Sequence, residues 1–239
     1  MSSSQENTSF QDIRILSEKS NLLTFLEGEK EYKKSMKKVF NEQSSKKPRA
    51  FIKPKTAKEV CVVLQYASAN HVHVSVLGGG HDPKGLALAC DGLVLDMSEM
   101  KGIDIDVDSA TAWVEAGVTV KELDDVTCPL DLAAVNGSCT DVGVIGLILG
   151  GGFGFLSRTK GLAIDNCLQM EIVTATGELI VASPRSHEQL FWALRGAGHV
   201  GYGVIVKVQV KLHKLHKEYI GGRFCYVPMA AAKIGEFLH

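Results

Sequence analysis

The sequence predicts an α+β fold built from hairpins and helices. Apolar residues recur at helical spacing in some segments and alternate with polar residues in others. Two pairs of alternating segments flank short turns, which is typical of hairpins. The 24 glycines are concentrated at 78–85, 137–161 and 196–203. A chain of 239 residues is long enough for one large domain or two small ones.

The first hundred residues are predicted to contain two helices and three strands. Residues 1–12 lack the basic and apolar regions of a secretory signal and are expected to be a disordered tail, so residues 1–26 are assigned as tail and lead-in. The predicted elements, in order, are a helix Glu27–Phe40, a strand Arg49–Ile52, a helix opened by a Thr56/Glu59 capping box and stopped at Asn70, and strands His71–Leu77 and Gly92–Asp96. Strand, helix and second strand form a β-α-β unit that is followed by the first glycine cluster.

The remaining residues are predicted to form two hairpins, two helices and a long strand. They are a hairpin of Gly102–Asp106 with Thr111–Glu115, a helix Thr119–Val126 capped by Thr119 and Glu122, a hairpin of Cys167–Thr174 with Leu179–Ala182, a capped helix Ser186–Leu194 that ends at Gly196, and an alternating strand from Val204 to Leu212. A further strand, Tyr219–Val227, and the start of a helix at Met229–Leu238 are predicted after it.

Composition excludes several function classes. The 26 basic and 27 acidic side chains nearly balance, which argues against a nucleic-acid partner. The apolar stretches are shorter than the roughly 20 residues of a membrane span, so no membrane partner is expected. The six cysteines have no zinc-type spacing, and we predict no metal. The absence of a signal segment leaves the cytoplasm as the expected location.

The third glycine cluster contains the string G-x-G-x-x-G from Gly196 to Gly201. In a dinucleotide-binding fingerprint this string follows a strand and opens a helix. Here a predicted helix precedes it and a predicted strand follows it. The string is therefore not interpreted as a dinucleotide-binding fingerprint.

The first glycine cluster leaves a predicted strand and ends in a histidine, in the order Gly78-Gly79-Gly80-His81-Asp82. Consecutive glycines allow the close approach of a ligand to backbone amides, which is the requirement of a diphosphate nest. The alternative is a surface turn ending in a solvated histidine.

The second glycine cluster is apolar, which distinguishes it from a flexible linker. Leu, Ile, Val and Phe are interspersed with glycine from Gly143 to Gly154, whereas linkers combine glycine with serine and other polar residues. We infer that this backbone packs against something flat and apolar, such as a large aromatic cofactor.

These motifs resemble the flavoprotein family that includes vanillyl-alcohol oxidase and the berberine bridge enzymes. The resemblance covers Tyr32 to about Leu212 and is carried by His81 in Gly-Gly-Gly-His, Cys139 in Gly-x-Cys, the Gly143–Gly154 run, Ser157-Arg158, residues 161–166, and Phe191 to Gly196. It implies FAD bonded covalently through both His81 and Cys139, in a two-subdomain FAD-binding domain of the PCMH type over residues 27–214. The imidazole and the thiolate are nucleophiles that can add to an electron-poor ring. Taken alone, Cys139 is also compatible with a small buried apolar residue, and His81 with a solvated turn residue.

The resemblance also implies the cofactor-binding residues and an oxidoreductase activity. The predicted FAD-binding residues are Gly78, Gly79, Gly80, His81, Asp82, Cys139, Thr140, Asp141, Gly143, Gly146, Gly151, Gly152 and Val204. The implied reaction is hydride transfer from a small organic substrate, in secondary metabolism, to the flavin. The catalytic base is not assigned.

The length of the chain keeps alternatives open. Family members continue for about as many residues again, and residues 215–239 are expected to begin a second, substrate-binding domain that stops short. One alternative is therefore an incompetent flavin-binding remnant, or a half-protein that self-associates or needs a complementing chain. Another is a structural α+β domain that uses glycine for packing only.

Overall fold

The computed structural model describes residues 13–41, 45–197 and 201–215. The helices are α1 (residues 13–20), α2 (Lys30–Met36), α3 (Ala57–Ala69), α4 (Val120–Thr127), α5 (Val144–Leu149), α6 (Ser157–Lys160) and α7 (Glu188–Leu194). The strands are β1 (Leu23–Leu26), β2 (Ala50–Lys53), β3 (Val74–Leu77), β4 (Leu93–Asp96), β5 (Ile103–Asp106), β6 (Thr111–Glu115), β7 (Leu132–Ala134), β8 (Cys167–Val173), β9 (Leu179–Ala182) and β10 (Val204–Lys214). The strand and helix predicted after residue 215 lie outside the described residues.

The first sheet has the strand order β1-β2-β4-β3. Strands β2, β4 and β3 are parallel, and β1 pairs with β2 antiparallel. The predicted β-α-β unit is present as β2, α3 and β3, but β4 lies between the two strands of the unit. Both β2 and β4 are buried along their whole length, as expected for parallel strands that are covered on both faces.

The first sheet separates two apolar clusters. One face contributes Ile52 and Leu95 to the large core, which it shares with α3, α4, α5 and the second sheet. The other face contributes Phe51 and Val94 to a smaller cluster, where Tyr32 of α2 meets the Phe51 ring edge-on at 5.1 Å between centroids. Alternation along each strand therefore attaches α2 to one side of the sheet and the rest of the chain to the other.

The second sheet is antiparallel and is centred on β10. Its order is β5-β6-β10-β8-β9, and β7 pairs with the end of β10. Both predicted hairpins are confirmed, as β5-β6 and β8-β9. Because α3 packs on β8 and α5 packs on β10, these helices fill the space between the two sheets.

The structure differs from the predicted elements at both ends of the described chain. Residues 13–26, predicted as lead-in, form α1 and β1, with Ile13 and Leu22 buried in the large core. The first predicted helix is shortened to Lys30–Met36, since Gly28 has a φ of +97° and a turn follows Met36. The predicted cap of the last helix is absent, because His187 precedes α7 in the left-handed conformation without a capping hydrogen bond from its side chain. The domain boundaries at residues 26 and 214 remain predictions.

Candidate functional site

The first two glycine clusters meet in space, backbone against backbone. A Cβ atom built on Gly79 would clash with the backbone N of Gly143, and a Cβ atom on Gly143 would lie 2.7 Å from the backbone N of Gly79. Gly79 follows β3 of the first sheet, and Gly143 precedes α5, which packs on the second. Glycine is therefore required at both positions by close approach.

A cavity of about 1200 Å³ opens beside this contact. Pockets that bind cofactors and small molecules have volumes of about 300–1000 Å³, so this one has room for a ligand as large as a dinucleotide. Among the predicted FAD-binding residues, those that line it are Gly78, Gly79, Gly80, His81, Asp82, Gly143, Gly146 and Val204. The remaining five, Cys139, Thr140, Asp141, Gly151 and Gly152, are not among its lining residues.

His81 is contacted on two sides at the mouth of the glycine loop. Its Nε2 atom lies 3.1 Å from Oδ2 of Asp141, and its ring stacks on Phe40 with centroids 5.9 Å apart and an interplanar angle of 19°. The His81 side chain is 28% exposed. The solvated-turn interpretation of His81 is therefore wrong, since the imidazole is half-buried and held.

The segment that presents Asp141 is fixed to the N-terminus of α4. Backbone N–H groups of Val120 and Lys121 donate to the carbonyls of Val142 and Thr140, each at 2.9 Å. The predicted capping box of α4 is confirmed: the Thr119 side chain accepts from the Glu122 N–H, and the Glu122 carboxylate accepts from the Thr119 N–H at 2.8 Å. Helix α4 thus positions the second glycine cluster.

The loop that carries Gly80 is fixed from the other side by the chain that leaves α2. The N–H of Phe40 donates to the Gly80 carbonyl at 2.8 Å, and the Lys38 carbonyl occupies the space that a Cβ on Gly80 would need. Gly80 also has a φ of +79°, which favours glycine.

A buried carboxylate, Asp96 at the end of β4, anchors this segment. Its Oδ2 atom accepts from the Ser35 hydroxyl at 3.1 Å and from Nζ of Lys38 at 3.0 Å, and it lies 3.7 Å from Nζ of Lys53. Burial alone would raise the pKa of Asp96, but Lys38, the Ser98 hydrogen bond and Lys53 together lower it below its usual value. Asp96 is therefore ionised and paired.

The cysteines differ in accessibility. Cys139 is exposed, two residues before Asp141, so the buried-residue interpretation of Cys139 is wrong. Two residues of chain span at most about 7 Å, which places Cys139 near the contact of Asp141 with His81. By contrast, Cys167 is buried, and burial raises the pKa of its thiol to about 12. The exposed Cys139 is accessible to a reactant, and the buried Cys167 is not.

The glycines of the second cluster have different surroundings. A Cβ atom on Gly146 would meet nothing within 4 Å, and this glycine lines the cavity. A Cβ atom on Gly152 would lie 2.8 Å from Leu147 and from Ala163. Gly151 and Gly152 both have positive φ, of 101° and 70°. A side chain at Gly152 would collide with Leu147 and Ala163. Packing within the protein therefore explains the glycine at this position without a ligand.

Sequence reasoning missed part of the cavity and one contact of His81. Phe40 was predicted to end the first helix, but it lies beyond α2, is 66% exposed and stacks on His81. The cavity is also lined by residues outside the first two glycine clusters, among them Lys46, Ser68, His71, His73 and Tyr202. Their positions depend on the pairing of distant strands, which leaves no local signal. Residues 198–200 of the third cluster lie outside the described residues.

The described residues hold no group of three or more His, Cys, Asp or Glu side chains placed to bind a metal. None of the helices in the described part of the chain is long and apolar enough to cross a membrane.

The two-sheet fold with a glycine-lined cavity at the junction defines a flavin-binding domain. A family profile described as FAD binding domain matches residues 48–183, more than half of the chain. The chain belongs to this family. Its fold is that of the PCMH-type flavoproteins, and the predicted resemblance to the vanillyl-alcohol oxidase and berberine bridge enzyme group is confirmed.

Particular relatives share the fold and much of the sequence. The chain is 39% identical to (R)-6-hydroxynicotine oxidase of Paenarthrobacter nicotinovorans over 180 residues, which cover 75% of this chain and 39% of the relative. It is 34% identical to an FAD-linked oxidoreductase of Dictyostelium discoideum, over 98% of this chain and 50% of the relative. A solved structure of Physcomitrella patens BBE-like 1 superimposes with a TM-score of 0.81 at 30% identity, covering 84% of this chain and 44% of that one. The chain thus spans half or less of the length of these proteins.

Proposed function

We propose that this chain is the FAD-binding part of an oxidoreductase that takes a hydride from a small organic substrate. The observation that carries the proposal is the half-buried imidazole of His81, held at the edge of a cavity of about 1200 Å³ where two glycine loops touch. Bound FAD supplies the hydride acceptor, and the protein supplies binding and orientation. The names of the relatives, an oxidase and FAD-linked oxidoreductases, support the reaction class.

The residues present fit FAD. Gly78, Gly79 and Gly80 place backbone without side chains along the cavity, which suits a diphosphate. Gly146 leaves open space on the cavity side of α5, while Ile145 and Ile148 of that helix are buried in the core. A flat, largely apolar ring system can therefore lie against this helix.

His81 and Cys139 are proposed to bond covalently to the flavin. An imidazole nitrogen and a thiolate sulfur are both nucleophiles, and neither side chain is sequestered in the core. The accessibility of the two groups, together with the family pattern, supports this assignment. Two bonds would hold the ring in one orientation for hydride transfer.

The experiment is acid precipitation of purified protein, followed by the flavin absorbance of pellet and supernatant. The wild type is expected to keep its flavin in the pellet, His81→Ala and Cys139→Ala to keep it through the remaining bond with altered spectra, and the double variant to release it. Cys128→Ala, which removes an exposed thiol outside the cavity lining, is the matched control and should behave as the wild type. Release of all flavin from the wild type contradicts the covalent assignment.

The reaction class is tested by anaerobic mixing with alcohols, phenols and 6-hydroxynicotine, while the flavin absorbance near its long-wavelength band is followed. Bleaching by one of these compounds identifies the hydride donor class. A protein that binds no FAD would contradict the proposal as a whole.

A further inference from the structure

The imidazole of His81 is constrained in position and in rotation. Asp141 contacts Nε2 at 3.1 Å, and the Phe40 ring stacks on one face. A stacked ring cannot turn in its own plane without breaking the contact to Asp141, and it cannot tilt without breaking the contact to Phe40. Two different neighbours therefore select one orientation, in which Nδ1 is the ring nitrogen left for a ligand.

We propose that Asp141 is a positioning residue for His81: its carboxylate, 3.1 Å from Nε2, favours a proton on that nitrogen and thereby leaves the lone pair of Nδ1 for the bond to the flavin. In a neutral imidazole, one nitrogen carries the proton and the other the lone pair, and the partner of the first decides which. A carboxylate that orients a histidine and stabilises its cationic form is a recurring arrangement in nucleophilic catalysis. This inference rests on the proposed function, because it concerns the same covalent bond.

The bond formation is balanced with dioxygen as the oxidant. Nδ1 of His81 bonds to the 8α carbon of FAD as a C–H bond of that carbon breaks, and the imidazole becomes a cation beside Asp141. The Nε2 proton then leaves. The two protons lost from carbon and nitrogen, together with two electrons, end on the flavin ring, which is thereby reduced. Dioxygen removes these two electrons and two protons as hydrogen peroxide.

Asp141 is well placed for this role because its backbone is fixed. The carbonyls on either side of it, of Thr140 and Val142, accept hydrogen bonds from the first turn of α4. The neighbouring lysine of that turn, Lys121, pairs with Asp125 at 2.6 Å. Because Lys121 is paired with Asp125, the ion-pair partner of the Asp141 carboxylate among the described residues is His81. Since the Asp141 side chain is 75% exposed, its removal should slow the reaction without unfolding the protein.

The test measures the rate at which acid-stable flavin forms when FAD is added to protein from riboflavin-starved cells. Asp141→Ala is expected to be about tenfold slower than the wild type, because the variant has no carboxylate to favour the proton on Nε2. Asp141→Asn keeps an acceptor for Nε2–H and should recover part of the rate. Asp125→Ala removes an exposed carboxylate nearby and should match the wild type.

A second measurement does not depend on flavin. Nitrogen-15 NMR of the flavin-free protein should show His81 protonated at Nε2 in the wild type and a mixture of tautomers in Asp141→Ala, which a merely structural residue would not produce. An Asp141→Ala protein that forms acid-stable flavin at the wild-type rate, or a wild type protonated at Nδ1, overturns this proposal alone. A wild type that binds FAD but retains none in acid overturns the covalent assignment, and this proposal with it.

Discussion

Single glycines of the second cluster have separable roles. Gly146 lies within α5 and faces the cavity, whereas Gly152 follows the helix and packs on Leu147 and Ala163. A side chain at Gly146 therefore intrudes on a ligand, and a side chain at Gly152 intrudes on the protein. The two positions allow binding and folding to be tested independently.

Gly146→Ala is predicted to raise stability and weaken FAD binding. Alanine is favoured over glycine inside a helix by about 1 kcal/mol, and the added methyl group projects into open cavity. We expect a higher midpoint of thermal unfolding without FAD and about tenfold weaker binding, measured by differential scanning calorimetry and by flavin titration. Gly152→Ala is the comparison: at a φ of +70° and with contacts at 2.8 Å, it should lower the unfolding midpoint. An unchanged affinity in Gly146→Ala would show that the cofactor does not approach this helix.

At the scale of the element, a buried carboxylate joins α2 to β4. Asp96 is fully buried and bonded to Ser35 and Lys38, so the chain that leaves α2 is pinned to the sheet end. The same chain supplies the Phe40 N–H to Gly80. The carboxylate therefore supports the glycine loop from a distance.

Asp96→Asn is predicted to cost about 3 kcal/mol in the free energy of unfolding, because it leaves the largely buried Lys53 and the half-buried Lys38 without their counter-charge. The pKa of Asp96 is lowered by folding, so its stabilisation is complete above the unfolded value near 3.8 and is lost as the pH falls through the folded value. Urea unfolding at pH 7 and at pH 3 should show the difference between wild type and variant shrinking at the lower pH. An equal difference at both values would contradict this assignment.

Helix α4 offers a second test at the scale of an element. Thr119→Ala removes a cap and should cost about 1 kcal/mol, and Thr56→Ala at the start of α3 should cost a similar amount. Only Thr119 also pairs with Gly143 in a β-bridge. We expect FAD affinity to fall in Thr119→Ala and to stay unchanged in Thr56→Ala, measured by flavin titration. Equal affinities in the two variants would contradict the positioning role of α4.

Elements with local signals were predictable, and elements fixed by distant contacts were not. The caps at Thr56 and Thr119 marked two helices because a cap needs only four residues. Helix α5 was missed because its residues, Val-Ile-Gly-Leu-Ile-Leu, have no polar face to show a helical period. The position of β4 between β2 and β3 and the contact of His81 with Asp141 arise from chain segments far apart in sequence. Sequence indicated eight residues that line the cavity, but not how the two glycine clusters touch.

On the scale of the whole molecule, the second glycine cluster also exposes apolar surface. Phe153 and Phe155 are 78% and 88% exposed, one on each side of Gly154. Two large, exposed aromatic rings separated by a single residue favour association with another apolar surface. Self-association therefore stays a prediction with a defined location.

Replacing both rings, as Phe153→Ser with Phe155→Ser, is expected to shift the protein toward the monomer in size-exclusion chromatography coupled to light scattering, since about 25 cal/mol per Å² of apolar contact is lost. Trp192→Ser, which removes an exposed ring of α7 at 73% exposure, serves as the comparison and should have a smaller effect. A wild type that is monomeric at high concentration contradicts this prediction.

The backbone contact between Gly79 and Gly143 limits how the molecule can adapt to what it binds. Where two loops meet through side chains, a change of rotamer can widen or narrow the gap between them. Here only peptide groups meet, and the two loops are tied by hydrogen bonds to the chain that leaves α2 and to the first turn of α4. At this contact no rotamer change can move the two loops apart, so this part of the site loses little conformational entropy when a ligand enters.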